Sequence, residues 1–219
     1  MSRNNPSTAD RTLDAFKGKL IGGGARSNLF ECELYWPSGA SPENADDNDL
    51  AERARFMVKA ASLPASTISN IAIPFRGRQL KIAGDRTFEP WSITVINDVD
   101  FKLRDSFERW MNLMNKHEDN AGQTNPNLYQ ENLIVRQLGR AKFDDTGFKT
   151  NNDIPVLKTY QFRGAFPTTV SSIDLSYENT DAIEEFTVEL EYQWFDSMTG
   201  QGKTILGSTP SSIPSTVQS

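Results

Sequence analysis

IEEFTVELEYQWF, residues 183–195, alternates apolar and polar side chains almost without a break. Phe186, Val188, Leu190, Tyr192 and Trp194 fall on one side; Glu185, Thr187, Glu189, Glu191 and Gln193 fall on the other. Alternation of period two puts the two sets on opposite faces of an extended strand. One apolar face and one charged face mark an antiparallel sheet that covers a core on one side only.

The same pattern extends upstream. Residues 29–36 place Phe30, Cys32, Leu34 and Trp36 on one side, and 55–61 do so with Phe56, Val58 and Ala60. ISNIAIPF (68–75) and RQLKIAG (78–84) flank Gly77 and predict a hairpin. Further strands are expected over 91–98, 132–138, 154–166 and 170–178. One helix interrupts them after Asp98 or Asp100, either of which can cap it. Val99, Leu103, Phe107, Trp110, Met111 and Met114 form its apolar stripe, which is too broad to leave in water. The fold class is therefore mainly β, a sandwich or distorted barrel of antiparallel strands with one packed amphipathic helix.

Three polar segments frame this core. Residues 1–24 form an N-terminal arm, with a short helix capped by Asp10 that places Leu13, Phe16 and Leu20 on one face. Residues 37–55 have the composition of a long surface loop, with a short helix at the acidic end. Residues 199–219 are a Ser/Thr/Pro-rich tail with little to bury. The main domain is expected to span residues 25–198.

Composition narrows the function. The 219 residues carry a net charge of −6, a poor match for gripping nucleic acid through surface charge. Mean hydropathy is −0.53, and no apolar run approaches a membrane span, so no stable membrane insertion is expected. Cys32 is the single cysteine, which excludes an internal disulfide framework and a cysteine-rich metal site. It lies on an apolar strand face, where a small buried thiol is the expected role. His117 lacks partners at ligand spacing and is expected in a solvated loop. SMTGQGKT, 197–204, imitates the end of a phosphate-binding loop, but Ser197 replaces its first glycine and no helix can follow. IGGGAR, 21–26, has no preceding strand. Asp85 and Arg86 could pose as an acid and its partner. The plainer reading is a tight Gly84–Asp85 turn whose carboxylate bonds local amides. No catalytic residue, cofactor or metal is predicted.

Four blocks carry a family resemblance: RSNLFECELYW, the run from AASLPASTISNIAIPF through AGDRTFEPW to FERWMN, ENLIVRQLGR, and FRGAFPTTVSSIDLSYENTDAIEEFTVELEYQWFD. Together, from about residue 25 to residue 196, they resemble the tail tube proteins of contractile-tailed bacteriophages of the T4 type. The resemblance implies the phage tail tube fold, which is shared with type VI secretion tubes and tubes of extracellular injection systems. It implies homo-hexameric rings stacked into a tube around a tape-measure protein, with sheath, baseplate and tail terminator proteins as partners. Double-stranded DNA would transit the lumen without specific binding. The implied location is the virion tail, assembled in the bacterial host cytoplasm. A tube-initiating baseplate relative, an injection-system tube and a ligand-binding β-sandwich are the alternatives.

Candidate residues follow. The joint at Gly84, Asp85 and Arg86 and the loop at Leu63 and Pro64 are expected to touch neighbouring subunits. Glu185, Glu189 and Glu191 are the candidate lumen face. Phe88, Trp91, Phe107 and Trp110 are expected to anchor the core.

Overall fold

The computed structural model describes residues 13–20, 24–42, 47–140, 154–178, 181–199 and 204–206. Ten strands and three α-helices are formed within them. In chain order they are α1 (Leu13–Lys19), β1 (Phe30–Glu33), α2 (Asp47–Met57), β2 (Val58–Ala61), β3 (Ser66–Phe75), β4 (Arg78–Phe88) and β5 (Trp91–Ile96). Then follow α3 (Lys102–Met114), β6 (Glu131–Leu138), β7 (Val156–Val170), β8 (Glu185–Glu191), β9 (Trp194–Thr199) and β10 (Thr204–Leu206). Among the described residues, no helix is long and apolar enough to cross a membrane.

Every strand pairing is antiparallel. The wall runs β1-β6-β7-β8-β5-β2, with β9 also paired to β7 and β10 to β9. The long β7 joins two sheets. Its first half pairs with β6 and β9, and its second half with β8. The change occurs at Gly164, whose φ of +61° suits a residue without a Cβ. An added Cβ there would lie 3.0 Å from both Gln130 Oε1 and Gln193 Cγ. Opposite it, the Gln193 amide donates to the Arg163 carbonyl at 2.9 Å.

This kink corrects the single-strand reading of 183–195. Phe186, Val188, Leu190 and Tyr192 are buried, but Trp194 is 47% exposed and Phe195 takes its place inside. Both strands of the ribbon turn over together, so the register holds while the core changes sides. The predicted strand over 170–178 also ends early. Past Val170 the chain leaves the sheet, and Leu175 and Tyr177 stand in solvent.

The helix expected at the acidic end of 37–55 forms as α2, but the described part of this segment packs on the core rather than lying on the surface. Ala40 is buried, and α2 buries Leu50 and Ala54, one turn apart, against the core. Arg55 ties the helix to β1 through Glu31 at 2.9 Å and Glu33 at 2.7 Å. Among the described residues two helices thus pack on the core rather than one. Helix α2 runs on through Met57, which turns Phe56 outward, 72% exposed, and leaves only Val58 of the predicted 55–61 face inside; Ala60 is exposed.

Helix α3 buries Leu103, Phe107 and Trp110 as its spacing predicts. The Trp110 indole donates to the Tyr129 carbonyl at 2.6 Å, and Phe107 packs against Trp36 and Phe186. The start of the helix differs. Its N-cap is Phe101, in the left-handed region at φ 54°, and no side chain caps it. Asp98 is engaged elsewhere: its Oδ2 accepts from Arg53 of α2 at 3.0 Å, and Asp100 lies 3.7 Å from the same guanidinium. Val99 falls outside the stripe, 96% exposed.

Candidate assembly surfaces

Strands β3 and β4 form a sheet of their own. The hairpin turns at Arg76 and Gly77, both at positive φ. With ten residues in β3 it extends roughly 30 Å. Every residue of the two strands is exposed except Gly84 and Phe88, which are half-buried. Its register, Ile71 opposite Ile82 and Ile73 opposite Leu80, gathers these four with Phe75 on one face. Asn70, Ala72, Lys81 and Ala83 lie on the other. Isolated two-stranded ribbons are marginal in water. This one presents an apolar face that no other described residue covers.

The predicted Gly84–Asp85 turn is instead part of β4. Between the pairs Ile68–Arg86 and Asn70–Ala83 the register shifts, so Gly84 and Asp85 together face Ser69 in a β-bulge. The Asp85 carbonyl, not its carboxylate, accepts the local bond, from Ser69 Oγ at 3.2 Å. Gly84 is required by proximity: an added Cβ would lie 2.5 Å from Ser69 Oγ and 3.2 Å from the Ser69 carbonyl oxygen. Asp85 and Arg86 are exposed.

Leu63 and Pro64 sit at the root of this arm, with Leu63 48% exposed. The root is fastened to the core on both sides. Trp91 Nε1 donates to the Ser62 carbonyl at 2.8 Å, and the Tyr192 hydroxyl donates to the Ala65 carbonyl at 3.5 Å. Trp91 itself is buried, stacked on Phe162. Phe88 is half-buried and packs on Tyr192 and Phe195 at 5.8 Å. Burial, with Glu191 and Glu89 nearby, pushes the Tyr192 hydroxyl up to about 12.

On β8 the three glutamates share the outward face but not one environment. Glu185 is paired to Lys59 of β2 at 2.5 Å. Glu189 is exposed between Ser92 of β5 and Thr169 of β7. Glu191 is half-buried opposite Phe166. Thr187 and Thr94 continue the face, which is small, polar and net acidic.

On the other sheet, a charge cluster holds β1, β6 and α2 together. Arg136 donates Nη2 to Glu33 Oε2 at 2.8 Å and its other nitrogen reaches Glu31 and Glu33 Oε1. Burial alone would raise the Glu33 carboxyl, but the Arg136 bond and the charges of Arg136 and Arg55 hold it below its ordinary value. Cys32 is buried beneath this face, and burial, helped by Glu31, pushes its thiol up to about 12. Such a thiol is inert as a nucleophile. His117 is exposed beyond α3, its amide bonded to Asn112 Oδ1. Among the described residues no group of three His, Cys, Asp or Glu side chains could hold a metal. Residues 200–203 of the Gly-rich motif, residues 21–23 and the tail from 207 lie outside the described residues.

Sequence reasoning located the hairpin but missed its apolar face and its isolation. The paired alternation around Gly77 carried the first signal. Nothing local could carry the second.

Comparison with known proteins agrees with this architecture. The family model described as phage tail tube protein matches residues 25–198. Tail tube protein gp19 of Enterobacteria phage T4 is 29% identical over 172 residues, covering 78% of this chain and 91% of that protein. A chain in the baseplate structure of the anti-feeding prophage superimposes with a TM-score of 0.53 at 14% identity, covering 81% of this chain and 97% of that one. A chain in the extended sheath-tube complex of an extracellular contractile injection system does so at 0.50 and 13% identity, covering 89% and 99%.

Proposed function

The chain belongs to the phage tail tube protein family, and from that premise we propose that copies of it close into hexameric rings that stack as the inner tube of a contractile tail. Membership makes it a structural component of the virion. The observation that carries the rest is the β3–β4 arm. A ribbon of this length, with an apolar face left bare, is stable only when another surface covers it. Its free strand edges and those of β1 and β2 offer backbone groups for pairing between copies.

In this reading the protein works by shape and does no chemistry. The arm and its root at Leu63 and Pro64, with the bulge at Gly84, Asp85 and Arg86, supply contacts between subunits. The acidic outer face of β8 turns to the lumen, where like charge keeps double-stranded DNA from sticking as it passes. The tape-measure protein fills the growing tube, baseplate and terminator proteins close its ends, and the sheath surrounds it. Assembly takes place in the host cytoplasm.

Negative-stain microscopy and ultracentrifugation of the purified protein across concentration and salt test this. Rings and stacked tubes are the expected result. A monomer under every condition, with or without a baseplate seed, overturns it. Single rings that never stack would move the protein to the tube-initiating position.

A further inference from the structure

We propose that the β3–β4 arm of one copy docks on residues 172–178 of a second copy, completing there a strand left unpaired among the described residues. The inference rests on the tube reading and names the surface that receives the arm.

Ser171 still donates its amide to the Thr187 carbonyl at 2.9 Å, but beyond it residues 172–178 have the pattern of a strand without its pairing, and only Ile173 among them packs against the core. Ile173, Leu175 and Tyr177 alternate with Asp174, Ser176 and Glu178, directly continuing β7. In the chain alone, β7 stops at Val170, Leu175 is 79% exposed and Tyr177 is fully exposed. Ile183, just before β8, is 71% exposed. Alternation of this kind is stable only against a partner edge. Among the described residues the arm has two unpaired edges, and it carries apolar side chains on one face. Addition of a strand to a free edge supplies main-chain bonds, and alternate side chains supply specificity.

Charge selects this pairing from others. The arm carries Arg76, Arg78, Lys81 and Arg86 against the single Asp85, in a chain whose net charge is −6. Residues 171–185, which include the receiving segment, contain no Lys or Arg. Of their acidic groups, Glu184 bonds Asn97 and Glu185 bonds Lys59. Asp174, Glu178 and Asp181 stand exposed. A basic apolar ribbon and an acidic apolar segment, both bare in one chain, complement each other between two.

The test uses two full-length variants. One carries Arg78→Glu with Lys81→Glu on the arm. The other carries Asp174→Lys with Glu178→Lys on the segment. All four sites are exposed, so thermal melts should match the parent. Each variant alone should fail to form tubes under conditions where the parent forms them. Their equimolar mixture should assemble, because each arm then meets a segment of opposite charge on the other variant. If both variants assemble like the parent, or if the mixture stays as inert as its components, the proposed contact is wrong and the tube reading stands. If the parent itself never assembles, the tube reading fails and this inference with it.

Discussion

Trp91 and Phe162 lie face to face, ring centroids 4.2 Å apart and planes 22° from parallel. The pair joins β5 to β7 across the interior, and the same indole holds the root of the arm through Ser62. One side chain therefore serves the core and fixes where the arm begins. Trp91→Ala should cost roughly 3–5 kcal/mol in denaturant melts, the usual range for a buried large aromatic. Trp91→Phe should recover part of that loss without the bond to Ser62. Full recovery by Trp91→Phe would remove the hydrogen bond from this account; losses equal for the two variants would remove the ring stacking instead.

Substitutions in the bulge should separate folding from assembly. Asp85→Ala keeps the backbone bond from Ser69 and touches no core residue, so its melt should shift by less than about 0.5 kcal/mol. Gly84→Val forces a β-carbon and its methyl groups into Ser69 and should distort the arm while the rest of the fold still melts like the parent. Both should lower the yield of rings in sedimentation. A melt as damaged as that of Trp91→Ala would make the arm part of the folding core.

Acid should weaken the chain through Glu33. Its folded carboxyl titrates below the unfolded value, so its contribution is complete above the ordinary carboxylate range, near 4.3. That contribution is lost as pH falls through the folded value. Glu33→Gln should lower stability at pH 7 and flatten the acid limb of unfolding free energy against pH. An acid limb of unchanged slope would show that other carboxylates account for it.

Cys32 should resist thiol reagents in the folded protein at pH 8 and react fully once unfolded. Burial and a thiol raised to about 12 both oppose thiolate formation. Prompt stoichiometric labelling of the native chain would contradict the packing of β1 against α2.

Glu189→Lys tests the lumen. Glu185 is already neutralised by Lys59, so Glu189 is the exposed carboxylate of that face. The variant should fold, and its tubes should bind double-stranded DNA at low salt, with affinity falling steeply as salt rises. Tubes that form normally and ignore DNA would take β8 out of the lumen. Loss of assembly would put Glu189 in a subunit contact.

What could be known without coordinates was set by local periodicity. Alternation in 91–96, 131–138 and 185–191 and the stripe Leu103–Phe107–Trp110 each name a face, because a side chain's direction follows from its place in a strand or helix. That was enough for an antiparallel β fold and for the buried anchors. Where packing outvotes local pattern, only the folded chain could decide. Residues 37–55 look like a loop because few apolar side chains break their polar run; Pro37, Ala40, Leu50 and Ala54 are buried there, and their value depends on the gap they fill beside β1. Asp98 looks like a cap until Arg53 arrives from 45 residues away. Trp194 continues a perfect alternation, yet the kink at Gly164 and Gln193 turns it outward. Gly84 looks like a turn until Ser69 is seen across the ribbon. The bare arm is the extreme case: its alternation is that of any hairpin, and whether a surface covers it is a property of distant residues and of other copies of the chain.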